Sequence, residues 1–454
     1  MSAGPDEIRA IAEEAYIYAY PILLGYGFSY PANIDPAGAN HIGMNRLHHF
    51  KNLGNPKFIN VVPWINTDTP YGSALVDLRS EPYVIEIPEM PDWRFQDVQF
   101  TDFYTHNFAI RGTRTDGNAA RTYLLAGPDW DGAVPPRIDD VISCETRIAK
   151  VITRILLESP DDWGAIDEIE TRYRFMPLSA WLGVAPPPPA PPIDWLKPDA
   201  RLFEVRSADF IRCLNVLLQF CPTVPGERDL LARFAEIGIG AGRPFDAGAL
   251  PGDRRDAIEQ GVAAAHARIM VRVRSIGVPV NGWVYPLDIR GGRDILAGSP
   301  DAYLRRAAAA NYAIWGPTAE EVVYAAVETD ADGAVLDGTD GDYVLHFDRP
   351  PPVKGFWSFT IYNAATRCLA EHPSGKFAVR QRDPAVRYGA DGSLTIRIRH
   401  EAPDNGEEGN WLPAPRMRFQ VVARLFWPEP PLLDGRWTPP PIRKTVGVQP
   451  GDTA

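Results

Sequence analysis

The stretch Gly355-Phe356-Trp357-Ser358-Phe359-Thr360-Ile361-Tyr362 is rich in aromatic and β-branched residues and reads as a short strand. Asp391-Gly392-Ser393-Leu394-Thr395-Ile396, Asn410-Trp411-Leu412-Pro413 and Arg424-Leu425-Phe426-Trp427-Pro428 continue it as further strands parted by turns. Upstream, Tyr83-Val84-Ile85-Glu86-Ile87 alternates as a half-buried strand does, and Phe95 to Phe100 supplies another. Asp116-Gly117 and Gly127-Pro128 give the turns of a first set of hairpins. Between the two β regions, Phe210 to Phe220, Asp229 to Ile237, Arg254 to Val273 and Ala302 to Ala313 repeat apolar residues at helical spacing. The same spacing predicts a helix from Glu7 to Tyr20, ended by Pro21. It predicts another from Cys144 to Leu157, through Ile148, Val151, Ile152, Ile155 and Leu156.

This order describes a mainly β chain with a helical insert, of the α+β class: two jelly-roll-like β-sandwich domains joined by a helical segment. Residues 1–184 form the first helix and sandwich, 185–206 a Pro-rich linker, 207–327 the helical segment and 328–454 the second sandwich. The linker opens with six prolines between Ala185 and Pro192, a composition that favours an extended polyproline strap. A length of 454 residues exceeds the roughly 250–300 at which one core stops growing, so several domains are expected. No repeat occurs at the periods of solenoids.

A net charge of −12 speaks against nucleic acid or an anionic membrane as partner, since both require clustered cations. The expected partners are a small-molecule substrate and further copies of the chain in a homo-oligomer. Cys144, Cys213, Cys221 and Cys368 are too far apart for a Cys-x-x-Cys site and are expected as free thiols. The N-terminus lacks a basic region followed by an apolar run, and no stretch of eighteen apolar residues follows, so a cytoplasmic protein is expected.

Several motifs resemble the paired domains of unknown function numbered 1254 and 1214. The first resemblance covers about residues 40 to 160. It rests on Asn66-Thr67-Asp68-Thr69-Pro70-Tyr71, Asp77-Leu78, Glu81-Pro82, Trp93-Arg94-Phe95, Asp102-Phe103-Tyr104 and Gly127-Pro128-Asp129-Trp130-Asp131-Gly132. The second covers about 340 to 440 and rests on Phe356-Trp357-Ser358, Asp391-Gly392-Ser393, Asn410-Trp411-Leu412-Pro413 and Trp437-Thr438-Pro439-Pro440. The resemblance implies two jelly-roll-like domains joined by helices and carries no agreed reaction.

The densest polar cluster is Asn66, Asp68 and Tyr71, which offers an amide, a carboxylate and a phenol for substrate binding with Asp68 as general acid or base. The same spacing suits an Asx-type turn in which Asn66 and Asp68 bond local backbone. Strand alternation would put Asp102, Tyr104 and His106 in one row, available for proton transfer near neutral pH. Arg94, if it reaches that row, would hold Asp102 ionised. Trp357, Tyr362, Asn410 and Trp411 are either an aromatic ligand wall or sandwich core. His41, His48 and His49 lack the spacing of a metal site, and Asp330-Ala331-Asp332-Gly333 lacks the closing Glu of a calcium loop. Gly238, Gly240 and Gly242 complete no dinucleotide fingerprint.

The expected function is a cofactor-independent enzyme acting on a small polar or ring-containing molecule, a hydrolase or lyase. Asp68, Asp102, Tyr71, Tyr104 and Arg94 are its expected catalytic residues, with Asn66, His106, Tyr362, Asn410 and Trp357 binding substrate and no metal. The alternatives are a carbohydrate- or ligand-binding protein and a structural homo-oligomer.

Overall fold

In the computed structural model, residues 4–38, 40–51, 53–54, 64–198, 207–287, 301–403 and 406–445 are described. The last part of the expected linker, residues 199–206, lies outside them. Among the described residues the five longest helices are α1 (Pro5–Ser29), α2 (Trp163–Arg172), α3 (Phe210–Leu218), α4 (Gly252–Arg274) and α5 (Ala302–Ala313). None is long and apolar enough to cross a membrane.

The first nine strands are β1 (His48–His49), β2 (Tyr71–Asp77), β3 (Tyr83–Ile87), β4 (Gln96–Asp102), β5 (Asn107–Gly112), β6 (Arg121–Ala126), β7 (Asp140–Ser143), β8 (Ile148–Ile155) and β9 (Arg174–Pro177). They make two sheets, β1-β2-β8-β4-β5 and β7-β6-β3-β9. Val76, Val98, Phe100 and Val151 from the first sheet meet Ile85, Tyr123 and Leu125 from the second in one core, the product of period-2 alternation.

The next ten strands are β10 (Val278–Val280), β11 (Trp283–Tyr285), β12 (Val322–Val327), β13 (Tyr343–Phe347), β14 (Trp357–Asn363), β15 (Ala378–Arg380), β16 (Leu394–Arg399), β17 (Trp411–Pro413), β18 (Phe419–Phe426) and β19 (Arg443–Lys444). Their sheets run β10-β11-β12-β18-β14-β15 and β17-β16-β13-β19, around a core that includes Trp357, Phe359, Leu345 and Ile396. Apart from β10 this is the first unit again, strand for strand, and both units pair one strand in parallel at the same place, β6 with β7 and β16 with β17. The fold is therefore mainly β with helices, built on a duplicated pair of sheets.

Three sequence expectations change. The segment expected as a helix from Cys144 to Leu157 is the central strand β8, flanked by β2 and β4. The strand is buried on both faces, so strict alternation is lost, and its apolar residues Ile148, Val151, Ile152 and Ile155, with Lys150, Thr153 and Arg154 between them, happen to fall at helical spacing. Pro21 does not end the first helix either: α1 runs through it to Ser29 and closes in a π-helical turn, Tyr30–Ile34. Strands β10, β11 and β12 also fall inside the span read as helical, and join the second unit's larger sheet.

Helices α1, α3, α4 and α5 form a layer of their own, in which α1 packs against the other three, while α2 packs on the first unit's core through Ile166 and Ile169. The Pro-rich strap ties this layer to the first unit, with Ala190 N–H donating to Ser80 Oγ at 2.7 Å and Trp195 stacked on Tyr26. Gly261 sets the α1–α4 distance, because a Cβ there would stand 2.4 Å from the Arg9 carbonyl oxygen and 2.9 Å from the Glu13 nitrogen. Both are backbone atoms within α1 and cannot rotate away. Gly261→Val is expected to cost about 1–3 kcal/mol, read as a lower midpoint in denaturant unfolding, whereas a valine at the unobstructed Gly164 leaves the midpoint within about 1 kcal/mol.

Candidate functional site

The turn between β4 and β5 gathers several buried titratable groups. Asp102 is the last residue of β4, and its Oδ1 accepts the backbone N–H of His106 at 2.7 Å while Oδ2 lies 2.9 Å from His106 Nδ1. The row expected on one strand face is thus a folded turn, with Thr105 in the left-handed region at φ 68°. That conformation is costly for a β-branched residue and persists only where its surroundings enforce it. The enforcement comes from Arg306 on α5, whose guanidinium donates to the Thr105 carbonyl and hydroxyl and to the Tyr104 carbonyl.

Burial alone would raise the Asp102 carboxyl. The charge and hydrogen bonds of His106 outweigh it and, with a hydrogen bond from Glu145, bring the group down to about 2. On the other side of the turn, the Tyr18 hydroxyl on α1 bonds Tyr104 at 2.8 Å and Glu227 at 3.0 Å, and Tyr303 on α5 bonds the other Glu227 oxygen at 2.9 Å. Each phenol has one proton, so a carboxylate at Glu227 takes those of Tyr18 and Tyr303, and Tyr104 donates to Tyr18. Burial, then the neighbouring groups, hold the Tyr104 phenol well above its ordinary range.

Tyr18, Pro21, Tyr104, His106, Tyr303 and Arg306 enclose a cavity of about 10 Å³, room for about one water. A broader depression of about 520 Å³ is bordered by Asp209, Arg212, Arg243 and Asp246, all exposed, and gathers no buried acid or base. Chemistry therefore points to the small cavity. Asp102, His106 and half-buried Glu145 bring one nitrogen and two carboxylate oxygens within 4.8 Å of one another, a set that could hold a divalent cation. A cation there would replace the shared proton of the Asp102–His106 pair.

Of the ten residues singled out in sequence, Asp102, Tyr104 and His106 meet here. Asn66, Asp68, Tyr71 and Tyr362 gather instead between the two β units. Asn66 Oδ1 caps the Asp68 N–H at 2.7 Å as an Asx turn does, and its Nδ2 donates to the Tyr71 hydroxyl at 3.2 Å. Asp68, with no exposed surface, accepts from Ser358 Oγ at 2.5 Å and Arg380 Nε at 2.9 Å. The Tyr362 hydroxyl donates to the Ile65 carbonyl at 2.6 Å. Arg94 does not reach Asp102: its guanidinium forks onto Asp162 at 2.6 and 2.8 Å, because the chain turns away before β4 begins. Asn410 bridges the backbone of Arg387 and Thr395, and Trp357 lies in the second unit's core.

Sequence reading missed Tyr18, Glu145, Glu227, Tyr303 and Arg306. The signal for Tyr18 was present: tyrosines at 16, 18 and 20 of one helix cannot all face water, and a buried phenol seeks a partner.

Comparison with known proteins bears on the fold. Residues 44–177 match the family model described as a protein of unknown function (DUF1254), and residues 321–430 the one described as a protein of unknown function (DUF1214). The chain belongs to the two-domain family that pairs them. No curated protein matches. Among solved structures, the VPA0106 protein from Vibrio parahaemolyticus is 22% identical, with a TM-score of 0.78 over 97% of this chain and 100% of that one. This likeness is one of fold. An uncharacterized protein from Burkholderia cenocepacia is 12% identical, with a TM-score of 0.45 over 97% of this chain and 94% of that one.

Two measurements test this geometry. Asp68→Ala strands a guanidinium and a hydroxyl between the two units and is expected to lower stability by about 1–3 kcal/mol, seen as a lower midpoint in denaturant unfolding. The depressed Asp102 carboxyl stabilises the fold above its ordinary value near 3.8, and that stability is lost as pH falls toward about 2. Asp102→Asn should therefore be less stable than the parent by about 2 kcal/mol at pH 7, with the gap closing as unfolding is followed from pH 5 to pH 3.

Proposed function

We propose that the protein is an acid–base enzyme acting on a small polar substrate, a hydrolase or lyase in which His106 transfers the proton. The observation that carries this reading is a histidine held at Nδ1 by a buried carboxylate, beside a chain of phenols ending on Glu227. Asp102 fixes the ring and stabilises the imidazolium that forms, and transfer itself falls to Nε2. Tyr104 and Tyr18 lead away from the turn to Glu227 and supply a path for a second proton. Developing negative charge on the substrate would meet the Arg306 guanidinium at the cavity wall.

The cavity as it stands admits about one water. Binding a substrate therefore requires α5, which carries Tyr303 and Arg306, to move off the β4–β5 turn. Tyr303 is half-buried and marks the side from which the site is reached. Both sandwiches are read as jelly-roll-like, since the orders β2-β8-β4 and β12-β18-β14 set an early strand of each unit beside a late one. Four free thiols fit a reducing compartment, and we place the enzyme in the cytoplasm.

The test is turnover of a panel of small esters, lactones and β-hydroxy carboxylates. A substrate found this way should lose about 10²–10⁴-fold in kcat with His106→Ala, with Asp102→Asn also impaired and Gly164→Ala unchanged. Folded His106→Ala protein that turns over at the parent's rate would sink the reading. Activity lost to a chelator and restored by one divalent cation would replace it with metal-activated water at Asp102, His106 and Glu145.

A further inference from the structure

The outer face of the first unit's larger sheet holds a cation that has no counter-ion among the described residues. Lys150 on β8 keeps 8% of its surface, and its Nζ makes one long hydrogen bond, 3.3 Å to Asn33 Oδ1, while lying 5.0 Å from the centre of the Trp315 ring. Among the described residues no carboxylate pairs with it. Burial pulls the ammonium down to about 8, which leaves it mostly charged at pH 7. A buried charge with only neutral neighbours is costly and is relieved by an opposite charge.

Its cross-strand partner on β4 is Thr101, so the two side chains rise from the same face next to each other. Thr101 is fully buried and its hydroxyl has no partner among the described residues. The cover over both is built with effort. Trp315 has a left-handed backbone, φ 54°, pinned by Gln99 Nε2 on its carbonyl at 2.9 Å and by Asn107 Nδ2 on the Gly316 carbonyl at 2.8 Å. Asn33 is delivered by the π-helical turn that closes α1. Such irregular backbone persists where surroundings over-determine it and is common at functional sites.

The duplicated unit carries an uncharged pair at the same place, although there too a side chain, that of Gln420, has no partner among the described residues. Strand pairing puts Gln420 where Lys150 stands and Tyr362 where Thr101 stands, since β8 meets β4 as β18 meets β14. There the ring of Tyr362 occupies the space, its hydroxyl meeting Ile65 and Arg424, and Trp64 with φ 54° takes the place of Trp315. In the first unit the ring is missing and a positive charge has been added.

We propose that Lys150 and Thr101, beneath Trp315, bind a small carboxylate ion. Two donor groups side by side, the Lys150 ammonium and the Thr101 hydroxyl, match the two oxygens of one carboxylate, whereas the further oxygens of a phosphate would have no donor group of their own. This site is separate from the acid–base reading and does not depend on it.

The experiment is calorimetric titration of the whole protein with sodium acetate and, separately, sodium phosphate at matched ionic strength and pH 7. Acetate should bind saturably, with affinity lost in Lys150→Met and weakened about tenfold in Thr101→Val, and phosphate should not bind. Thr101→Val preserves shape, so it carries the test if Lys150→Met fails to fold. No saturable acetate binding, equal binding of phosphate, or unchanged affinity in Thr101→Val would each overturn the proposal. His106→Ala should bind acetate as the parent does, and this keeps the outcome distinct from that of the catalytic test.

Discussion

Two straps exchanged between the β units hold the molecule together. The segment before β2 leaves the first unit and lies across the outer sheet of the second, where Asp68 meets Arg380 and Ser358 and the Trp64 carbonyl meets Arg424. The segment before β12 does the reverse, with Glu321 on Arg114 at 2.6 Å and the Trp315 carbonyl on Gln99. Each strap thus carries a tryptophan with a left-handed backbone and a buried carboxylate paired to an arginine of the other unit. A carboxylate buried this way is tolerable only with its partner in place, so the two units specify each other's position. The outer faces make the same demand. Arg154 with Asp97 on one sheet, and Arg424 on the other, are buried charges that an isolated sandwich would have to leave in water.

Within this reciprocal frame the chemistry is not duplicated. The turn after β14 corresponds to the one after β4, and it too contains a left-handed residue, Arg367 at φ 58°. Its strand-end residue is Asn363, which caps local backbone N–H groups, and Cys368 stands where His106 closes the first turn. Asn363 and Cys368 cannot make the charged pair of Asp102 and His106. One copy of the turn acquired an acid, a base and a helical cover, and the other serves the scaffold.

How much of this could be read in advance depends on the range of the physics involved. Helices such as Ala302–Ala313 were legible because their period is local, and so were strands such as β3, whose alternation shows one face in and one out. The central strand β8 was not, since its second face is covered by elements far away in sequence. The duplication was equally hidden: the residues that correspond through strand pairing, Arg154 with Arg424 and Tyr71 with Tyr324, are separated by dissimilar neighbours. At the site, Asp102, Tyr104 and His106 were legible as a group because they lie within five residues, although the turn that joins them was not. Asp68 drew notice for its polar neighbourhood, a property that a buried clamp shares with an active site. Glu227, Tyr303 and Lys150 carry no local signal, because each acquires its role from a partner at least tens of residues away.

The end of β4 links the two polar places of the first unit. Consecutive strand residues point to opposite faces, so Thr101 stands beneath Trp315 while Asp102, the next residue, turns to His106. The β4–β5 pairing shifts register at Phe100 and Thr101, which loosens this end of the ladder at the point where both places depend on it. Gly25 on α1 bears on the same point, since a Cβ there would touch Thr105 at 2.8 Å and Trp315 at 3.8 Å. The two places thus share one strand end and face opposite ways from it, each held by its own partners: His106 and Arg306 on one side, Trp315 and Asn33 on the other.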